Sequence, residues 1–252
     1  MGNYLRWFIL LLAGLLMQAC SAPPSPDSAN PSHLARKTVA ERVCAVVVTD
    51  RNNLNNWANR NFTSSLSPKD ADGGSAAPIS ADGYFLTADH VLSQAAGRNV
   101  FIICGQGGPL LPTKARVVWR SKSSDLALLH IARKTPYFYQ WTPPQLWQPI
   151  GNKVIHGGLS TGLKSISGKL ATAIPPEGIL TGPRLFKIDI PLQPGDSGGP
   201  IVNSYGQLVG INSAVEFLIP METAFFIESE GRRPNTRSID SLIRADRARL
   251  RL

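Results

Sequence analysis

Seven residues, Pro194-Gly195-Asp196-Ser197-Gly198-Gly199-Pro200, constrain this chain more than any other stretch. Three glycines and two prolines around Ser197 form a tight turn that exposes one hydroxyl and rings it with backbone N–H groups. Such a turn needs a rigid frame, and the rest of the chain offers strands for one. Val43-Cys44-Ala45-Val46-Val47-Val48, Val100-Phe101-Ile102-Ile103-Cys104, Ala115-Arg116-Val117-Val118-Trp119 and Leu185-Phe186-Lys187-Ile188-Asp189-Ile190 are short, β-branched and partly alternating. The 42 glycines and prolines among 252 residues suit many strands joined by turns. No helical pattern of comparable strength occurs before the C-terminus, where Ile239, Leu242 and Ile243 share a face.

A serine hydroxyl is a weak nucleophile unless a base and an orienting carboxylate stand beside it. Candidates for both precede Ser197. His90 follows the strand-like Phe85-Leu86-Thr87, and Asp125 opens Asp125-Leu126-Ala127-Leu128-Leu129, which gives the order His, Asp, Ser with spacings of 35 and 72 positions. Taken singly, His90 reads as a structural histidine, Asp125 as a strand-start residue and the glycine string as a hairpin turn; their joint order favours chemistry. In that reading Gly195 and Ser197 supply the N–H groups of an oxyanion hole. His33 reads as a linker residue, and His130 and His156 as strand residues. No metal-ligand spacing occurs, so neither a metal nor another cofactor is expected.

These motifs resemble the chymotrypsin-fold (trypsin-like) serine peptidases, and within them the bacterial HtrA/Deg-type protease domains. The resemblance rests on the glycine turn with the following Ile201–Asn212 stretch, on Gly74-Ser75 with Asp82–Thr87 before His90, on the Asp125 strand and on Ser167-Gly168-Lys169-Leu170. It implies an all-β fold of two six-stranded antiparallel barrels with a short C-terminal helix. Barrel one would cover about 38–142, barrel two about 145–230 and the helix about 238–250. It also implies a serine endopeptidase acting on polypeptides through His90, Asp125 and Ser197. The competing class is a catalytically silent, peptide-binding or chaperone-like protein on the same scaffold. Too few residues follow Ser197 for a PDZ domain, so none is expected.

The resemblance places the base of the primary pocket at Pro191 and part of its wall in Ala224, Phe225 and Phe226. With no acid at the base, a shallow apolar pocket for small aliphatic side chains is expected. Asp196 departs from the asparagine common in HtrA-like enzymes. In digestive enzymes the aspartate pairs with a freed amino terminus; here it must find other donors or shift its pKa.

Residues 1–19 read as a lipoprotein signal peptide, with Arg6 before an apolar run from Trp7 to Met17 that is too short to span a bilayer. Leu16-Met17-Gln18-Ala19-Cys20 resembles a bacterial lipobox, which implies acylation at Cys20 and a periplasm-facing anchor in the outer membrane. Residues 20–37 read as a flexible tether. In an oxidising envelope the remaining Cys44 and Cys104 are either two buried thiols or one bridge. The resemblance puts them on neighbouring first and fourth strands of barrel one, which favours the bridge.

Residues 51–73 are polar and turn-rich, an exposed loop. Trp119, Trp141 and Trp147 read as packing residues. The formal net charge is +9, and from Gly231 onward there are seven arginines and two aspartates. That tail is either a solvated helix face or a surface for acidic lipids. Nucleic acid is not an expected partner of an exported chain without a binding motif.

Overall fold

A computed structural model describes residues 33–42, 44–54, 72–104, 112–178, 182–221 and 224–250. All belong to the unit Pro31–Leu252. The expected signal peptide, Cys20, the start of the expected tether and most of the 51–73 stretch lie outside the described residues.

After helix α1 (His33–Arg42) come β1 (Cys44–Thr49), β2 (Asp72–Pro78), β3 (Tyr84–Thr87), a 3-10 turn (Asp89–Leu92), β4 (Asn99–Cys104), β5 (Thr113–Ser121) and β6 (Leu126–Ile131). These six strands form a closed antiparallel barrel in the order β1-β2-β3-β6-β5-β4. Period-two alternation builds it. Val46 and Val48 point inward with Phe85, Ile102 and Leu129, while Val47 points outward and is covered with Phe101 and Ile103 by Leu54. Both faces of β1 are therefore buried, and its sequence is continuously apolar. The β1–β4 register sets Cys44 opposite Cys104 at a Cα separation of 4.2 Å, and the two sulfurs are bonded.

The second half contains β7 (Lys153–Gly158), β8 (Gly162–Lys169), β9 (Arg184–Ile188), β10 (Pro200–Asn203), β11 (Leu208–Met221) and β12 (Ala224–Arg233). They form one curled sheet in the order β8-β7-β10-β11-β12-β9. Its edges come together just past β8, where Leu170 bridges Ile188. The architecture is thus the expected pair of six-stranded antiparallel units, with the second less fully closed than a barrel. Val154, Leu170, Phe186, Ile188, Ile201 and Val209 fill it. Between the two units lies a further core, in which Leu86, Leu126 and Leu128 meet Ile155, Val202, Leu208 and Ile211.

Helix α2 (Thr236–Leu250) closes one side of that core with Ile239 and Ile243. Asn235 caps it, its Oδ1 accepting the Ser238 N–H at 3.0 Å. Several arginines of the basic tail are engaged within the molecule. Arg247 pairs with Asp82 at 2.7 Å and Arg249 with Asp246 at 2.9 Å, while buried Arg233 donates to Thr142 O at 2.9 Å.

Two expectations need correction. Residues 33–37 lie in helix α1, not in a flexible tether, and His33 is the first residue of that helix. Ala35, Thr38 and Val39 are its buried face, packed against the second sheet at Gly157 and Gly206, whose missing side chains leave the space. Trp119 and Trp141 pack on the inter-unit core, but Trp147 is 53% exposed.

Candidate active site

His90 sits in the 3-10 turn after β3 and Asp125 immediately before β6. These strands are hydrogen-bonded neighbours, with Thr87 paired to Ala127, so both side chains emerge at the same end of the barrel. Asp125 has φ of 49°, in the left-handed region, which aims its carboxylate back at the turn. Its Oδ1 accepts the His90 backbone N–H at 2.9 Å, and Oδ2 lies 2.9 Å from His90 Nδ1. Backbone and ring are therefore held by one carboxylate. This leaves Nε2 as the nitrogen free to exchange a proton with a reactant.

The same Asp125 oxygen accepts the hydroxyl of Ser213, which stands on β11 of the other sheet. Burial works to raise the Asp125 pKa, but the His90 ring, the Ser213 hydroxyl and the His90 N–H outweigh it and hold the carboxyl below its ordinary range. Ser213 carries no local sequence signal. Next to His90, Asp89 is buried and receives Arg120, Nε to Oδ1 at 2.6 Å and Nη2 to Oδ2 at 3.1 Å. The residue before His90 is thereby fixed as well.

The Ser197 turn is docked onto the same end of barrel one. Ser75 N–H donates to Ser197 O at 2.7 Å, and Ser75 Oγ donates to Gly195 O at 2.8 Å. Gly198, at φ of 84°, lies against Ser75 O, Thr87 Oγ1 and the Ala88 N–H, two residues before His90. A side chain at Gly198 would collide with the first two and crowd the third.

Gln193-Pro194-Gly195-Asp196 is a type II turn. Asp196 N–H donates to Gln193 O at 2.9 Å, and Gly195 has φ of 102°. Proline at the second position and glycine at the third are the residues this turn prefers. The turn directs the Pro194 carbonyl outward, where the Ser160 hydroxyl donates to it. The Gly195 N–H therefore faces the opposite way. Among the described residues, neither the Gly195 N–H nor the Ser197 N–H has a hydrogen-bond acceptor.

Pro191 is exposed. Directly before it, Ile190 O accepts the buried Ser229 hydroxyl at 2.8 Å. Ser229 sits on β12 and had no sequence signal either. The side chains of Ala224, Phe225 and Phe226 lie outside the described residues. His130 is a β6 residue with Nε2 3.2 Å from Asp82 O, and His156 is a β7 residue.

The family model of the trypsin-like peptidase domain matches residues 74–211, more than half of the chain and all three of His90, Asp125 and Ser197. A probable periplasmic serine endoprotease, DegP-like, of Pseudomonas fluorescens is 30% identical over 172 residues, which cover 62% of this chain and 34% of that protein. A protein of the same description from Chlamydia trachomatis is 31% identical over 154 residues, 58% of this chain and 29% of that one. The chain thus spans about a third of the length of these curated relatives. Among solved structures, the HtrA-type protease AlgW with a decapeptide superposes with a TM-score of 0.57 at 21% identity, over 82% of this chain and 65% of AlgW, a likeness of fold. A closed barrel and a curled sheet carrying a glycine-walled serine turn, together with a matching domain model, establish that this chain belongs to the trypsin-like peptidase family.

Proposed function

We propose that the chain is a serine endopeptidase that cleaves peptide bonds through an acyl-enzyme on Ser197. The observation that carries this reading is the His90–Asp125 hydrogen bond, at 2.9 Å, in the turn onto which the Ser197 segment is docked. His90 Nε2 takes the hydroxyl proton as Ser197 Oγ attacks the scissile carbonyl. The resulting oxyanion is received by the Gly195 and Ser197 N–H groups. As the tetrahedral species collapses, the C–N bond breaks and His90 returns the proton to the leaving amine. Water then repeats the sequence, freeing the acid and restoring Ser197. Asp125 keeps its proton count throughout and holds the ring in one tautomer.

The substrates in this reading are polypeptides in the cell envelope, in keeping with the relatives' description as periplasmic endoproteases. Exposed Pro191 supports a shallow pocket for small aliphatic residues. Lipid attached at Cys20 would anchor the chain, facing the periplasm, on the outer membrane. Exposed arginines of α2, Arg237 and Arg244, would then lie against acidic lipid.

A fluorophosphonate probe tests the core of the proposal. Labelling at Ser197, abolished by Ser197→Ala and strongly reduced by His90→Ala, is expected. Absence of labelling in folded wild-type protein would favour the catalytically silent reading instead. Cleavage of a peptide library chiefly after basic or acidic residues would overturn the pocket assignment, and unchanged membrane association of Cys20→Ala would overturn the anchor.

A further inference from the structure

Asp196 is completely buried, and three backbone N–H groups converge on it. Oδ1 accepts from Ser160 at 3.0 Å and from Thr161 at 3.1 Å, and Oδ2 accepts from Gln193 at 3.1 Å. The Gln193 contact is with the first residue of the type II turn. Ser160 is also the residue whose hydroxyl holds the Pro194 carbonyl outward. The carboxylate thus ties together both ends of the device that orients the Gly195 N–H.

One side chain approaches this carboxylate from the middle of β7. His156 is itself completely buried, with Nε2 3.8 Å from Asp196 Oδ2. That separation is within ion-pair range but too long for a hydrogen bond, and neither ring nitrogen has a hydrogen-bond partner among the described residues. An imidazole with two unpaired nitrogens is costly in an interior position where its strand neighbours are Ile166 and Ile201. The fit around it is close. A Cβ on Gly199 would stand 2.8 Å from His156 Cε1 and 2.9 Å from Asp196 O, and a Cβ on Gly158 would stand 2.9 Å from Asp196 Cα. Two side-chain-free positions make room for the ring and the carboxylate to meet.

We propose that His156 is a positioning residue for the oxyanion turn: its Nε2–H edge is the counterpart that balances the buried Asp196 carboxylate, which in turn fixes Gln193, Ser160 and the Gly195 N–H. The partner that Asp196 requires is supplied from within the folded domain, by a strand of the same sheet. Burial by itself works to raise the Asp196 pKa, yet His156 and the backbone donors outweigh it, so the carboxyl is held below its ordinary range. This inference rests on the acyl-transfer reading only for its kinetic consequence. The pairing of His156 with Asp196 stands independently of it.

The test is a double-variant cycle on the folded protein with His156→Leu, Asp196→Asn and both together. Two quantities are read: labelling of Ser197 by a fluorophosphonate, resolved into the reversible constant KI and the chemical rate kinact, and the melting temperature. At a temperature where circular dichroism shows every variant folded, His156→Leu is expected to lower kinact about tenfold or more while leaving KI within about twofold, as a displaced oxyanion donor would. The double variant is expected to be less impaired than the product of the two single effects, since removing both partners leaves no stranded charge. Wild-type kinact in folded His156→Leu, or losses that simply multiply, would overturn the proposal.

If His156→Leu does not fold, His156→Gln, which keeps an N–H donor, and His156→Met, which lacks one, make the same comparison. Glutamine retaining a rate that methionine loses supports the inference, and equal rates refute it. If wild-type protein is not labelled at all, the peptidase reading fails separately. The melting temperatures then decide the pair: a double variant melting above His156→Leu supports it, and additive losses refute it.

Discussion

The hydroxyl of Ser213, on β11 of the second sheet, donates to the Asp125 carboxylate that orients His90 on the first barrel. The two units therefore share one hydrogen-bonded chain, and relative movement between them would loosen the base. We expect Asp125→Asn to lower kcat by about 10⁴-fold, because the amide imposes the wrong tautomer on His90. Ser213→Ala removes one hydrogen bond to a charged acceptor, worth about 1.5–3 kcal/mol, and should lower kcat by roughly ten- to a hundredfold with KM little changed. Steady-state kinetics on a peptide substrate would check both. A Ser213→Ala loss confined to KM would contradict this role.

Gly198 is where the serine turn touches the strand leading to His90. Its φ of 84° disfavours any side chain, and a Cβ would meet Ser75 O and Thr87 Oγ1. We expect Gly198→Ala to push the Ser197 turn away from barrel one. Fluorophosphonate labelling should then fall by at least a hundredfold, while the far-ultraviolet circular dichroism of the two sheets is largely retained. Gly97→Ala is a control for a positive φ without crowding, since nothing lies within 4 Å of the added carbon. Labelling should be unaffected there.

The serine turn could be recognised in the sequence because its chemistry depends on adjacent residues. Pro194 and Gly195 favour a tight turn through their own backbone preferences, and the unbroken apolar run Val46-Val47-Val48 suits a strand buried on both faces. His90 and Asp125 are legible through their order and the strands beside them, Phe85-Leu86-Thr87 and Leu126-Ala127-Leu128-Leu129. Contacts made across the fold left no such trace. Ser213 is one hydroxyl in a strand, and only the approach of β11 to Asp125 gives it a role. Val154-Ile155-His156 reads as ordinary strand interior, and nothing local shows that the histidine faces a carboxylate 40 positions away. Helix α1 leaves little trace because, among its residues whose side chains are described, only Ala35, Thr38 and Val39 are strongly buried, a stripe too small and weakly apolar to stand out.

Cys44 and Cys104 join β1 to β4 across 60 positions of chain, a segment that contains His90. Closing a loop of that length costs the unfolded chain conformational freedom equivalent to about 4 kcal/mol in the entropic limit. We expect the Cys44→Ser/Cys104→Ser protein to lose about 2–4 kcal/mol of stability in urea titrations. Its labelling at Ser197 should persist wherever it remains folded, since the serine turn is held to barrel one through Ser75, Thr87 and Ala88. Intact mass should rise by about two daltons on reduction of wild-type protein, one proton and electron for each sulfur. An unchanged mass would exclude the bridge.

The contact of α2 with barrel one gives a pH dependence whose direction can be worked out. The Asp246 carboxylate, almost fully buried, receives both Nη atoms of Arg116, at 2.9 and 2.6 Å, the Tyr84 hydroxyl at 3.0 Å and Arg249 at 2.9 Å. Arg116 is the chief cause that pulls its pKa down to about 2, from an ordinary 3.8, against the opposing effect of burial. A folded-state value below the unfolded one means that folding favours the ionised form. The resulting stabilisation is present above pH 3.8 and is lost as pH falls through about 2. Its size is on the order of 2 kcal/mol. Asp246→Asn should therefore be less stable than wild type by a constant margin from neutral pH down to about pH 5, and the margin should shrink below that. Urea titrations of both proteins at successive pH values would measure this difference. A margin that stays level from pH 7 to pH 2, or widens on acidification, would show that Asp246 does not hold α2 through its charge.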